Sequence, residues 1–233
     1  MSLLFFPRRC CRESPRSSSP LPDDAESLPA LRRRLRAVRR ALGSRRQRTN
    51  AEAIVRRLAR WNALRRAGNI ALYVAADGEP DVRDLICRLP KRRRRWYLPV
   101  LRGHLEGRLW FVRHRPGSPL RPNRFGIREP RQRRRAIQPV HGLNLVLMPL
   151  VGFDARCNRL GMGAGYYDRS LARLRLRRHW HRPLLVGVAH ECQRVERLAP
   201  QPWDVPLDAV VTEAGFYLRS RAEHRGPSAG DSG

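Results

Sequence analysis

LNLVLMPLVGFDARCNRLGMGAGYYDRSL, residues 143–171, is the stretch that decides how this chain folds. It opens with an apolar run, Leu145 to Leu150, interrupted only by Pro149. A short apolar run with polar ends predicts a strand buried on both faces. A loop with Asp154, Asn158, Arg159 and Leu160 follows, and then Gly161-Met162-Gly163-Ala164-Gly165. Tyr166-Tyr167-Asp168-Arg169 stands at the head of the next expected helix. Strand, glycine turn and helix start together make an anion site. Glycine reaches φ > 0, so backbone N–H groups can close on phosphate oxygens, and the helix start adds unpaired donors and a favourable dipole. Arg159 and Arg169 supply fixed positive charge, and Asp168 offers a hard oxygen to Mg²⁺. The string is neither a GxxxxGK[ST] loop nor a GxGxxG dinucleotide turn.

At 233 residues the chain can bury one good core, and one domain is the default. Hydrophobic residues make up 41%, enough for a globular chain. The formal charge is +29, and Lys91 is the single lysine among 49 basic residues. This bias reads as an arginine-rich composition spread over solvated faces, because the arginines are scattered and aromatics do not interleave with them. Its alternative is affinity for polyanions such as nucleic acid. The five cysteines are odd in number and include no CxxC or zinc spacing, so reduced thiols in the cytoplasm are expected. No run approaches the ~18 apolar residues of a membrane span.

Outward from the central stretch, the pattern predicts alternating helices and strands. Residues 1–27, with SPRSSSPLPDD, are expected to be a disordered tail. Leu31, Leu35, Val38 and Leu42 predict a helix that stops at Gly43, with a solvated arginine face. A second helix is predicted over residues 50–66, strands over 70–74, 96–101, 109–112, 184–188 and 209–212, and a short helix over 82–89. Residues 116–124 read as a proline-rich connection, and residues 218–233 as a second disordered tail. The order gives an α/β fold: one three-layer domain over 28–217 with a mainly parallel central sheet between helices. Ala75-Ala76-Asp77-Gly78-Glu79-Pro80 falls at a strand's carboxyl end, where open α/β sheets bind ligands.

The central stretch closely resembles PLxxFDxxGxRLGxGxGYYDR, the signature of the 5-formyltetrahydrofolate cyclo-ligase family. The resemblance runs from about Arg32 to about Glu213, and on it the chain is identified as a member. Asp77-Gly78-Glu79 resembles the family's DGExDT, Ile127-Arg128-Glu129-Pro130 its Ile-x-Glu-Pro, and residues 203–213 its WDxPLDxVVTE. The resemblance implies ATP-dependent closure of 5-formyltetrahydrofolate to 5,10-methenyltetrahydrofolate. It implies that Arg32, Arg159 and residues 160–167 (Leu160, Gly161, Met162, Gly163, Ala164, Gly165, Tyr166, Tyr167) hold ATP. Arg159 would be catalytic, Glu79, Glu129 and Tyr166 would meet the folate, and Asp168 and Asp204 would hold Mg²⁺. His190 and Gln193 match a family xHxxQ at the nucleotide pocket. Three positions depart from the pattern. Leu28 stands where some members carry a basic residue. Cys157 stands at a usual Gly, which matters only if that turn needs φ > 0, and Ala164 stands at a Gly or Lys, which requires a negative φ. The reading from another class is a basic nucleic-acid-binding protein on the same scaffold.

Overall fold

The computed structural model describes residues 26–89, 94–102, 107–131, 136–175 and 183–220. The tails expected at 1–27 and 218–233 lie almost wholly outside these residues. Ser27 accepts a bond from Ala30 N (3.4 Å) and caps helix α1, Leu28–Ala41, which carries Pro29 in its first turn. Gly43, at φ +69°, does end α1, but the chain re-enters helix at once: α2 is Gly43–Arg60, starting well before Asn50. Trp61 is extended and splits off α3, Asn62–Arg66, where the pattern predicts one helix.

The strands of the main sheet are β1 (Asn69–Ala71), β2 (Arg95–Arg102), β3 (Arg108–His114), β6 (Ile137–Gln138), β7 (Leu145–Pro149), β10 (Leu184–Val188), β11 (Ala209–Val211) and β12 (Phe216–Leu218). Their order is β12-β11-β10-β7-β1-β2-β3-β6. The pairings among β11, β10, β7, β1 and β2 are parallel, while β12, β3 and β6 join antiparallel at the edges. The mainly parallel centre is therefore as expected. Strand β1 is shorter than the apolar run that announces it: Leu72 N still donates to Tyr97 O (2.9 Å), and residues 73–76 leave the sheet. Two small hairpins escape the pattern: β4 with β5 (Leu120–Pro122, Arg128–Pro130) and β8 with β9 (Gly152–Phe153, Arg159–Leu160). Strands of two or three residues are too short for alternation to register.

Strand β7 explains the layering. Leu145 and Leu147 face a core built with Ile54, Leu58 and Leu64 of α2 and α3 and Leu85 of α4, Leu85–Arg88. Val146 and Met148 face the opposite core, with Leu171 and Leu174 of α5, Tyr166–Arg175. A strand covered on both faces is continuously apolar, as this one is. Helix α1 belongs to neither layer. Leu31 and Leu35 pack on Val151, Leu160 and Leu198, across the loops that follow the parallel strands.

Candidate functional site

The glycine loop has the backbone its sequence requires. Gly163 lies at φ +98° and Gly165 at φ +64°, whereas Ala164 is not among the positive-φ residues, so its methyl group is tolerated. Met162 is half exposed. Arg32 of α1 donates from Nε to Gly161 O (2.9 Å), which brings the predicted phosphate-side arginine onto the loop. Arg169 donates to Ala164 O (2.5 Å) and to Gly107 O (2.8 Å) and lies over the Tyr166 ring. Leu28 packs among apolar side chains at the start of α1.

Arg159 is held at the head of α5. Its guanidinium donates to Asp168 Oδ1 and to Val205 O, and its side chain is only 6% exposed. It does not pair with Asp154. That buried carboxylate instead takes Arg156 N and Asn158 N on one oxygen, and Leu198 N with the Asn158 amide on the other. The turn it builds needs Cys157 at φ +65°, the left-handed region where a side chain is strained. The Cys157 thiol is buried and donates to Tyr217 O (3.4 Å).

Asp168 Oδ1 also accepts from Val205 N (3.4 Å), so the Asp204–Val205 segment adjoins it. Asp204 Oδ2 accepts from Gln201 N (2.8 Å) and so caps its own turn. Asp204 and Arg159 line a groove of about 380 Å³ together with Asn158, Gln201 and Arg219. Among the described residues no three His, Cys, Asp or Glu side chains form a metal cluster. The donor set still fits Mg²⁺, which commonly uses one or two carboxylates plus substrate phosphates.

The Asp77–Glu79 turn is the opposite kind of place. Asp77 sits at φ +53° and receives Arg36 Nε (2.8 Å), Arg39 Nη2 (2.8 Å) and Arg40 Nε. Burial pushes the Asp77 carboxyl up, but the bonds from Arg36 and Arg40 and the charge of Arg39 bring it down to about 2. Glu79 Oε2 accepts from Ala76 N (3.1 Å), and Arg39 Nη1 lies 3.8 Å from Glu79 Oε1. Burial outweighs Arg39 there and pushes Glu79 up to about 7. Tyr167 is pushed up by burial and by the Glu79 charge and pulled down by Arg159.

Arg39 is the residue that sequence reasoning missed. It is fully buried, while Val38, assigned to the apolar face, is 38% exposed. The signal was present: Leu31, Leu35 and Arg39 are spaced i, i+4, i+8, so an arginine continues the buried stripe. His190 is also fully buried. The Asn50 amide donates to its Nδ1 (3.2 Å), so Nε2–H donates to Gly78 O (3.1 Å) and the imidazole is neutral. Gln193 Nε2 donates to Leu150 O (2.8 Å) and Val151 O (3.0 Å). The xHxxQ pair thus ties strand ends together. Glu129 accepts from Leu101 N (3.2 Å) and the Asn123 amide (3.1 Å) and fixes the β4–β5 hairpin to β2. From that hairpin Arg124 reaches Tyr166 Oη, and Phe125 meets the Tyr166 ring edge-on at 6.0 Å.

An α/β domain with a cationic glycine loop and a dry acidic turn at the carboxyl ends of parallel strands defines a class: enzymes that seat a ligand at the strand ends. A sequence profile of the 5-formyltetrahydrofolate cyclo-ligase family matches residues 24–213, and the chain belongs to that family. The 5-formyltetrahydrofolate cyclo-ligase of Escherichia coli is 38% identical over 185 residues, 78% of this chain and 98% of its own length. That of Haemophilus influenzae is 37% identical over 183 residues, 78% and 95% of the two chains. The solved structure of Aquifex aeolicus 5,10-methenyltetrahydrofolate synthetase superimposes with a TM-score of 0.70 at 30% identity, covering 88% of this chain and 96% of that one.

Proposed function

We propose that the chain catalyses ATP-dependent cyclisation of 5-formyltetrahydrofolate to 5,10-methenyltetrahydrofolate, with release of ADP and phosphate. The observation that carries this reading beyond family membership is that α1 touches both halves of the site. Arg32 reaches Gly161 O of the glycine loop, and Arg39 reaches Glu79 and the Asp77 backbone. A phosphoryl donor on the loop would then lie beside a folate on the acidic turn.

The chemistry calls for such a pair. The N5-formyl group is an amide whose oxygen leaves poorly. Its attack on the γ-phosphoryl group expels ADP and makes a phosphate ester, and N10 then closes on the formyl carbon as phosphate departs. The protein contributes position and charge. The N–H groups of residues 160–167 cradle the phosphates at the α5 N-terminus, Arg32 and Arg159 neutralise them, and Tyr166 packs beside the folate. Glu79 orients the pterin or formyl end. Mg²⁺, when bound, would be held by Asp168 and Asp204 and would neutralise phosphate charge. Glu129, engaged with Leu101 N and Asn123, supports the hairpin next to Tyr166 and reaches folate only if that bonding rearranges.

A reducing cytoplasmic setting suits the free thiols Cys87, Cys157 and Cys192. No helix among the described residues is long and apolar enough to cross a membrane. Family membership favours the enzyme over the nucleic-acid-binding alternative, whose ground is charge alone. The test is an ATPase assay coupled to methenyl product formation. ATP consumption that requires 5-formyltetrahydrofolate is the expected result. RNA binding with a steep salt dependence and no folate-stimulated turnover would overturn the proposal.

A further inference from the structure

We infer that Arg39 is a positioning residue of the reaction, orienting the Glu79 carboxylate from behind; this rests on the assignment of Glu79 to the folate site. An arginine on the third step of an apolar helix stripe is costly to bury, and an aliphatic side chain would pack there without that cost. Its contacts suggest what the charge is for. Nε donates to Asp77 O (2.9 Å), Nη2 to Asp77 Oδ2 (2.8 Å) and Nη1 to Leu150 O (3.2 Å). Those three bonds fix the guanidinium plane against the end of β7 and the left-handed Asp77. Nη1 then stands 3.8 Å from Glu79 Oε1, too far for a hydrogen bond but close enough for strong attraction between buried groups. Glu79 Oε2 is spent on Ala76 N, while Oε1 has a charge partner and, among the described residues, no hydrogen bond. An acceptor with that arrangement is aimed and left open for a donor on a ligand.

Asp77 does not need Arg39 for neutralisation, because Arg36 and Arg40 already bind its two oxygens. What Arg39 alone does is join Leu150, Asp77 and Glu79 through one planar group. The groups that face Glu79 are Arg39 and Arg36 from α1, Asp77 and the Ala76 N–H from its own turn, and the phenols of Tyr73 and Tyr167, which respond to its charge. Of the cationic groups, Arg39 does most to favour the ionised carboxylate against burial.

The experiment is a double-mutant cycle on the full chain with Arg39→Gln and Glu79→Gln, backed by Arg39→Lys. Turnover, KM for each substrate, melting temperature and the pH profile of kcat/KM are all read. Arg39→Gln is expected to raise KM for 5-formyltetrahydrofolate about tenfold while KM for ATP stays within about twofold. The acid limb of the folate kcat/KM profile should move to higher pH by about one pH unit, since an opposite charge holding the carboxylate down is gone. Arg39→Lys, which keeps the charge, should return that limb toward wild type. Added to Glu79→Gln, Arg39→Gln should cost no further folate affinity. Should Arg39→Gln not fold, the same cycle is run with Arg39→Lys, again with non-additive folate KM expected. Losses that multiply in the double variant, with an unmoved pH limb and a lowered melting temperature, would make Arg39 a purely structural residue and overturn the inference while leaving Glu79 in place. Wild-type folate KM and turnover in Glu79→Gln would remove the Glu79 assignment and the inference with it.

Discussion

Two turns at the carboxyl ends of the central strands, the Asp77–Glu79 turn and the glycine loop, are built on opposite plans. At the Asp77–Glu79 turn a single carboxylate is bound by three arginines of α1, and the backbone is held in place by His190 at Gly78 O. At the glycine loop, residues 162–164 are exposed and the carbonyls of Gly161 and Ala164 are held by one arginine each. The first turn is over-determined before any ligand arrives. The second leaves its backbone exposed at a helix start, which is how an anion-receptive loop should look. On the proposed function, rigidity sits where a carboxylate would be aimed, and adaptability where a triphosphate would enter and leave.

The largest expected effect tests the open side. Arg159→Lys keeps the charge near Asp168 but loses the planar fork, and turnover should fall by about 10²–10³ with ATP affinity nearly retained. Wild-type turnover per folded molecule together with a lower melting temperature would make Arg159 a strut for α5 and end its catalytic assignment.

Next comes the rigid side. Asp77→Ala leaves buried Arg39 without its carboxylate and should cost roughly 3 kcal/mol of stability, measured by denaturant titration. Asp77 is depressed to about 2 from an ordinary 3.8, so its contribution is present above pH 4 and is lost as pH falls through about 2. Asp77→Asn should flatten stability across that window. Unchanged acid sensitivity would mean the three arginines do not depend on its charge.

Glu79 has the opposite sign. Its folded pKa is raised from 4.5 to about 7, so the folded state holds the extra proton between those values and stability declines as pH rises through that window. Glu79→Gln should therefore be more stable than wild type above pH 7, by about 2 kcal/mol, as an aimed but strained acid requires. Equal melting temperatures at pH 8 would show that Glu79 is not held against its own hydration.

The smallest effect is expected at Cys157. Replacing it by Gly relieves a left-handed residue, worth about 1 kcal/mol, but removes a buried side chain of similar value. The melting temperature should barely move. A shift of several degrees either way would decide which of the two terms governs that turn.

Much of this was legible in the sequence. The apolar run of β7, the glycine turn and the helix start that follows are local patterns, and each appears where its period places it. The approach of Arg32 to the glycine loop follows from family resemblance and could not have come from helix periodicity. What stayed hidden depends on contacts across the chain. Arg39 was assigned to water with its neighbours because helical patterns are scored on apolar residues, and its partners Asp77 and Leu150 lie 38 and 111 residues away. Likewise, the left-handed φ of Cys157 is set by Asp154 bonding N–H groups on either side of it, and nothing in cysteine itself announces that.

Helix α1 also fixes a length. Its first half latches onto the glycine loop through Arg32, and its second half onto the acidic turn through Arg36, Arg39 and Arg40. Seven residues separate Arg32 from Arg39, which in helix is about 10 Å along the axis and close to two full turns. The gap between the place for an anion and the place for an aimed carboxylate is therefore gauged by a rod lying outside the sheet. Loops that join the strands can lengthen or shorten without changing that gauge. One residue gained or lost within residues 33–38 would turn Arg39 by about 100° relative to Arg32, so that both could not latch together. In this segment the count of residues matters as much as their identity.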